Sequence, residues 1–169
     1  MLCTYTKMIK KVLLIILILI CVTVFLGLVG MDKQYFICPI EYKSDIIIRS
    51  DNRGDGLFAS SRSGRRIHKG LDLLARVGIP VYAAKSGRVV SATQNKGMGK
   101  YIIIRHRDNI ITIYGHLSNI FVRKGDYLRQ GQIIGSVGKT GNARAAGMLP
   151  HLHFEIRKNG VPQDPLEYI

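Results

Sequence analysis

The sequence predicts a mainly β outer domain preceded by one membrane-spanning helix. Three observations carry that expectation. Val12 to Gly30 reads VLLIILILICVTVFLGLVG, without a charged residue. From Ser44 onward, short β-branched and aromatic runs recur at roughly 8–12-residue spacing, with Gly, Asn, Asp and Ser between them. Beyond residue 30, no stretch sustains the apolar period of a helix for long.

The apolar run comes first. Its nineteen residues would rise about 28 Å as a helix, enough to cross a bilayer core. Lys7, Lys10 and Lys11 precede it and no acidic residue does, so the positive-inside rule puts the N-terminus in the cytoplasm and the rest of the chain outside. A cleaved signal peptide would have a shorter run and a small-x-small cleavage site. A lipoprotein would have a small residue before its cysteine, whereas Ile20 precedes Cys21. The chain therefore divides into a basic cytoplasmic N-terminus (1–11), a retained signal anchor (12–30), a stalk (31–43) and an outer domain (44–169). Thirteen stalk residues reach at most about 45 Å, which keeps the domain near the membrane.

Of Cys3, Cys21 and Cys38, only Cys38 would lie outside, so the outer domain has no internal disulfide and folds on its hydrophobic core. Setting aside the three N-terminal lysines leaves 22 basic residues against 11 acidic ones, a net charge of +11. That balance suits an anionic polymer or membrane surface. The basic residues are scattered and no nucleic-acid-binding motif accompanies them, so nucleic acid is not an expected partner.

In the outer domain, Asp45–Ile48 reads as a first strand and Ser50–Arg66 as a loop rich in Gly, Ser, Asn and Asp. Strands follow at Leu71–Leu74, Val81–Ala84, Gly87–Ser91, Tyr101–Arg105, Ile110–Tyr114 and Gln132–Val137. Asp108-Asn109 between two β-branched runs signals a hairpin turn. Asp164-Pro165-Leu166-Glu167 signals a capped helical turn near the C-terminus.

His151-Leu152-His153-Phe154-Glu155 alternates polar and apolar residues, the period of a strand. His151, His153 and Glu155 then share one face, and Leu152 and Phe154 point to the core. His68-Lys69-Gly70-Leu71-Asp72 puts a carboxylate four residues after an imidazole, on one face, with Gly70 permitting close backbone approach. His68, Asp72 and one of His151 and His153 would give Zn²⁺ three N/O ligands and leave a fourth position for water, the plan of a catalytic zinc site.

His68-x-x-x-Asp72, Tyr114-Gly115-His116-Leu117-Ser118 and His151-Leu152-His153-Phe154-Glu155 together resemble the three signature blocks of the M23 (lysostaphin/LytM-like) zinc metallopeptidases. Gly78-Ile79-Pro80-Val81-Tyr82-Ala83-Ala84, Gly131-Gln132-Ile133-Ile134-Gly135 and Gly138-Lys139-Thr140-Gly141 resemble the connecting text, so the similarity spans about Arg49 to Ile169. The resemblance implies an antiparallel-sheet lysostaphin/LytM-like fold, with His68, Asp72 and His153 as zinc ligands and His116 and His151 as catalytic residues. No His-Glu-x-x-His occurs, so a histidine is the expected general base; the resemblance does not divide the work between His116 and His151. His106 and Tyr114 are read as structural, Glu155 as a partner orienting a ligand or a plain strand residue, and Arg65 and Arg66 as solvated charge. Asn142–Pro150 is longer than the short approach common in the family and should border the cleft.

The expected function is that of a membrane-anchored zinc endopeptidase cutting peptide cross-links of bacterial peptidoglycan, with its catalytic domain in the periplasm or outside the cell. The competing expectation is a non-catalytic M23-like module that binds the wall or activates another wall hydrolase. Such modules have gaps in the four-histidine, one-aspartate set, and this chain has none.

Overall fold

The computed structural model describes residues 2–29, 35–62 and 66–169, with side chains described only for 8–23 of the first stretch. The chain forms two compact units, Met1–Asp32 and Lys33–Ile169. The first is helix α1 (Leu2–Val29). Its described side chains, those of residues 8–23, are all exposed. Among the described residues, no helix is long and apolar enough to cross a membrane. Of the expected span 12–30, residue 30 and the side chains of 24–29 lie outside the described residues.

The second unit is mainly β and antiparallel, as expected. Its strands are β1 (Ser50–Asp51), β2 (Gly54–Asp55), β3 (Ser61–Arg62), β4 (Arg66–Ile67), β5 (Leu71–Leu74), β6 (Pro80–Tyr82), β7 (Gly87–Asn95), β8 (Gly99–Arg105), β9 (Ile110–Leu117), β10 (Asn119–Ile120), β11 (Tyr127–Leu128), β12 (Ile133–Ser136), β13 (His151–Lys158) and β14 (Val161–Gln163). The main sheet runs β11-β7-β8-β9-β13-β14, and β5 pairs β13 on the edge that β9 leaves open near its start. A smaller sheet runs β10-β12-β6. The core between them holds Leu71, Leu73, Val81, Ile102, Ile104, Leu117, Ile134, Leu152, Phe154 and Ile156.

Several expectations are corrected at the N-terminal side of this unit. The stretch read as a stalk is, from Tyr35 on, part of the domain: Phe36 and Ile40 are buried in the core, and backbone bonds join Ile37 N to the Ala84 carbonyl and Tyr82 N to the Pro39 carbonyl. The apolar face of that segment has somewhere to go, which a polar stalk would not need. Asp45–Ile48 is no strand and makes only an isolated bridge from Ile48 to Leu73. The stretch Ser50–Arg66, expected to be a plain loop, contains two small hairpins, β1–β2 and β3–β4. Arg65 lies outside the described residues, and Arg66 is exposed.

Elsewhere the turn chemistry acts as expected. Asp108 and Asn109 both adopt positive φ, 56° and 55°, the geometry a two-residue hairpin needs to follow strand twist. Asp164 caps the turn at Pro165–Glu167, its side chain accepting from Leu166 N at 3.0 Å.

Candidate metal centre

Strand β13 assembles the site because it lies between two partners. Leu152 and Phe154 are fully buried on its core face, which turns His151, His153 and Glu155 to the other face. Register then supplies the neighbours: His153 stands opposite Asp72 of β5 on one side and Gly115 of β9 on the other. His68 enters three residues before β5, held by bonds from its N–H to the Ser60 carbonyl and from Ala59 N to its own carbonyl. Gly70 makes this approach possible, since a side chain there would collide with the Phe154 carbonyl and Glu155.

His68, Asp72 and His153 form a group whose donor atoms all lie within 4.8 Å of one another. His68 Nε2 is 3.0 Å from His153 Nδ1 and 3.1 Å from Asp72 Oδ1, and His153 Nδ1 is 2.8 Å from the same oxygen. Zinc bonds of about 2.0–2.1 Å in a tetrahedron put neighbouring ligand atoms about 3.3 Å apart. The observed triangle is close to one face of that tetrahedron, so the residues fit a zinc ion.

The tautomers point the same way. His68 Nδ1 donates to the Leu57 carbonyl at 2.7 Å, leaving Nε2 with its lone pair. His153 Nε2 donates to Glu155 Oε1 at 3.0 Å, leaving Nδ1 to face the others. A nitrogen of each ring and a carboxylate oxygen converge on one point, which makes a cation site once His153 gives up its Nδ1 proton, and the bonds behind them fix each ring's orientation.

Two more imidazoles border the cluster. His116 Nδ1 donates to the Thr140 carbonyl at 2.9 Å and His151 Nδ1 to the Leu149 carbonyl at 2.7 Å. Each therefore keeps its Nε2 free. Their rings meet edge to face, 5.0 Å between centroids, and His151 Nε2 lies 3.8 Å from Asp72 Oδ2. His116 has a positive φ of 62°, rare for a residue with a Cβ and a form of strain that gathers at working sites. Its N–H bonds to the Met98 carbonyl at 2.8 Å.

Burial sets the charge states. It lowers the pKa of His116 to about 3, helped by the repulsion that a charged His151 or His153 exerts on a second charge nearby. Burial also lowers His151, more than the nearby Asp72 carboxylate raises it. Both rings are neutral bases at neutral pH. Asp72 is buried, which alone would raise its pKa, yet the bond from the His153 imidazolium leads the contacts that hold it well below the ordinary carboxylate range.

The structure thus brings His68, Asp72, His116, His151 and His153 together. His106 is elsewhere, 2.8 Å from both the Ser86 carbonyl and Thr112 Oγ1 with its ring against Phe36, and Tyr114 is a core residue. Glu155 takes the orienting role on His153. Arg49 and Arg62, both bonded to Asp72 Oδ2, escaped the sequence reading. The one signal was a lone arginine directly after the apolar run Ile46–Ile48. The expected cleft loop, Asn142–Pro150, touches the site through the Leu149 carbonyl, and Thr140, two residues before it, does so through its own.

A family model described as peptidase family M23 matches residues 66–165. The peptidoglycan DD-endopeptidase ShyC of Vibrio cholerae is 42% identical over 100 residues, 59% of this chain and 22% of that protein. A zinc-containing peptidase from Vibrio cholerae superposes with a TM-score of 0.64 at 31% identity, covering 78% of this chain and 39% of that one. A chain of the SpoIIQ–SpoIIIAH pore-forming complex superposes with a TM-score of 0.66 at 26% identity, covering 82% of this chain and 92% of that one. The matches span about 20–40% of the length of the curated relatives.

Proposed function

The chain belongs to peptidase family M23, and on that premise we propose that it is a zinc-dependent endopeptidase hydrolysing peptide cross-links of bacterial peptidoglycan. The observation that carries this reading is a complete set of five residues: three donors converging on one point, and two neutral imidazoles beside them with free Nε2 atoms. Similarity to a peptidoglycan DD-endopeptidase supports the substrate class, and the +11 charge beyond the N-terminal lysines suits an anionic wall. The uncharged run 12–30 behind three lysines supports a single-pass anchor in the cytoplasmic membrane with the domain outside.

His68 Nε2, Asp72 Oδ1 and His153 Nδ1 would hold the ion. Bound there, zinc supplies a Lewis acid that activates water toward a peptide carbonyl. His116 and His151 can each accept a proton at Nε2 and return it to the leaving amine, because each is neutral and has its Nδ1 tied to a carbonyl. Once protonated, either ring is also a donor for the oxygen that gains charge on the carbonyl. Glu155 fixes His153 from behind, and Arg157 fixes Glu155 through a 2.7 Å bond.

The second reading is a non-catalytic module that binds the wall or a protein partner, and the similarity to a chain of a pore-forming complex favours it. Incubating the Lys33–Ile169 unit with purified peptidoglycan separates the two. An endopeptidase releases muropeptides, loses this with chelator, and loses it in H116A and H153A. A folded, zinc-loaded wild type that releases nothing favours the module.

A further inference from the structure

Asp72 divides its two oxygens between different tasks. Oδ1 faces His68 and His153. Oδ2 receives Arg49 Nε at 3.3 Å, Arg49 Nη2 at 3.1 Å and Arg62 Nη2 at 2.7 Å. The Arg49 side chain is wholly buried, and its Nη1 donates to Asp51 Oδ1 at 2.6 Å and to the Gly54 carbonyl at 3.0 Å. Asp51 reaches on to the cleft loop: its Oδ2 accepts from Leu149 N at 2.8 Å, and the Leu149 carbonyl anchors His151. Arg53 adds a bond from its Nε to the Ala146 carbonyl at 2.9 Å.

We propose that Arg49 is a positioning residue that holds Asp72 as a one-oxygen metal ligand and, through Asp51 and Leu149, sets the His151 ring against the same carboxylate. The proposal rests on the zinc reading above. A guanidinium is needed because its planar fork meets Asp72 and Asp51 together, whereas an ammonium is a point charge on a flexible stem. For Asp72 to bind a metal through both oxygens, Oδ2 would have to leave two arginines. Arg62, whose side chain is 20% exposed, reinforces the same oxygen, but among the described residues no second partner fixes its guanidinium as Asp51 fixes that of Arg49.

The test uses the full chain in detergent, as wild type, R49M, R49K and R62Q. Zinc affinity is measured by competition with a chromogenic chelator, and coordination by the visible d–d absorption of the Co²⁺-loaded protein. R49M should weaken zinc binding about 10–100-fold, the usual effect of losing a group that orients a ligand. Its cobalt bands should lose intensity as Asp72 swings to two-oxygen binding. R49K should fall between R49M and wild type, and R62Q should change less than either. Folded R49K or R49M with wild-type zinc affinity and a wild-type cobalt spectrum overturns the proposal. Should neither variant fold, a crystal structure of the zinc-loaded wild type decides: a second bond of about 2.2 Å to Oδ2 overturns it, and an Oδ2 still held by Arg49 supports it. These readouts need no hydrolysis, so they judge the proposal even for a module that cuts nothing. A folded wild type that takes up neither zinc nor cobalt overturns both the proposal and the zinc reading beneath it.

Discussion

Each clustered histidine ties one ring nitrogen to a fixed acceptor and turns the other into the site. The acceptors are the carbonyls of Leu57, Thr140 and Leu149 and the carboxylate of Glu155. This arrangement gives the metal-free protein a defined pH response. Burial disfavours charge on His153, but its bonds to Asp72 and Glu155 outweigh that and raise its pKa from 6.5 to about 9. A raised histidine stabilises the fold fully below about pH 6.5 and loses that contribution as pH climbs through about 9. His116, lowered to about 3, and His151, also lowered, act in the opposite sense. Below about pH 6.5 the unfolded chain takes up protons that these folded rings refuse, so stability falls with pH. The metal-free domain should therefore melt highest near pH 6.5 and lower on either side. Zinc on His153 Nδ1 should remove the alkaline fall. Melting curves at about pH 5, 6.5 and 9, with and without chelator, check this; a chelated protein whose midpoint keeps rising to pH 9 contradicts it. At this scale the sequence displayed all five site residues, because imidazoles and a carboxylate announce themselves. The carbonyl anchors were hidden, since every residue has a carbonyl and only the fold selects which one faces a ring.

Strand β13 is the element on which the site depends. Its alternation was legible in the sequence, and so was the use of Gly70 for close approach. The sequence did not show that β5 and β9 would both pair with β13, which is what puts Asp72 and Gly115 on either side of His153. Pairing depends on residues far apart in the chain, and several apolar runs here could have served as neighbours. Gly70→Ala tests the arrangement directly. Its methyl group would press on the Phe154 carbonyl and on Glu155, forcing β5 away from β13. The expected outcome is a loss of about 1–3 kcal/mol in denaturant unfolding, the usual cost of overpacking, together with weakened zinc binding. A variant of unchanged stability and zinc affinity would mean that the two strands have room to spare. The hairpins β1–β2 and β3–β4 were hidden for another reason. Their residues are turn formers with few apolar positions, so no alternation marks them, and what holds them is contact with β5 and the cleft loop.

For the molecule as a whole, the main revision concerns where the domain begins. Phe36 packs edge-on against His106 and Tyr168, with ring centroids 5.6 and 5.7 Å away, and Ile40 is buried beside it in the core. Burying two such side chains contributes about 3–6 kcal/mol. A fragment starting at Ser44 should therefore melt well below one starting at Lys33, and equal midpoints in a thermal melt would show that the segment adds nothing.

By itself the sequence determined the β class of the domain, the uncharged N-terminal run and the residues from which the candidate metal site is drawn. Each is written in local pattern: alternation, hydropathy, or residue types with their own chemistry. Only the tertiary structure decided which strands flank β13, which carbonyls hold the rings, and that Phe36 and Ile40 belong to the core. It also revealed Arg49 behind Asp72. These features depend on contacts between distant parts of the chain, where the energy of a pairing or a buried charge is settled by what the fold brings alongside.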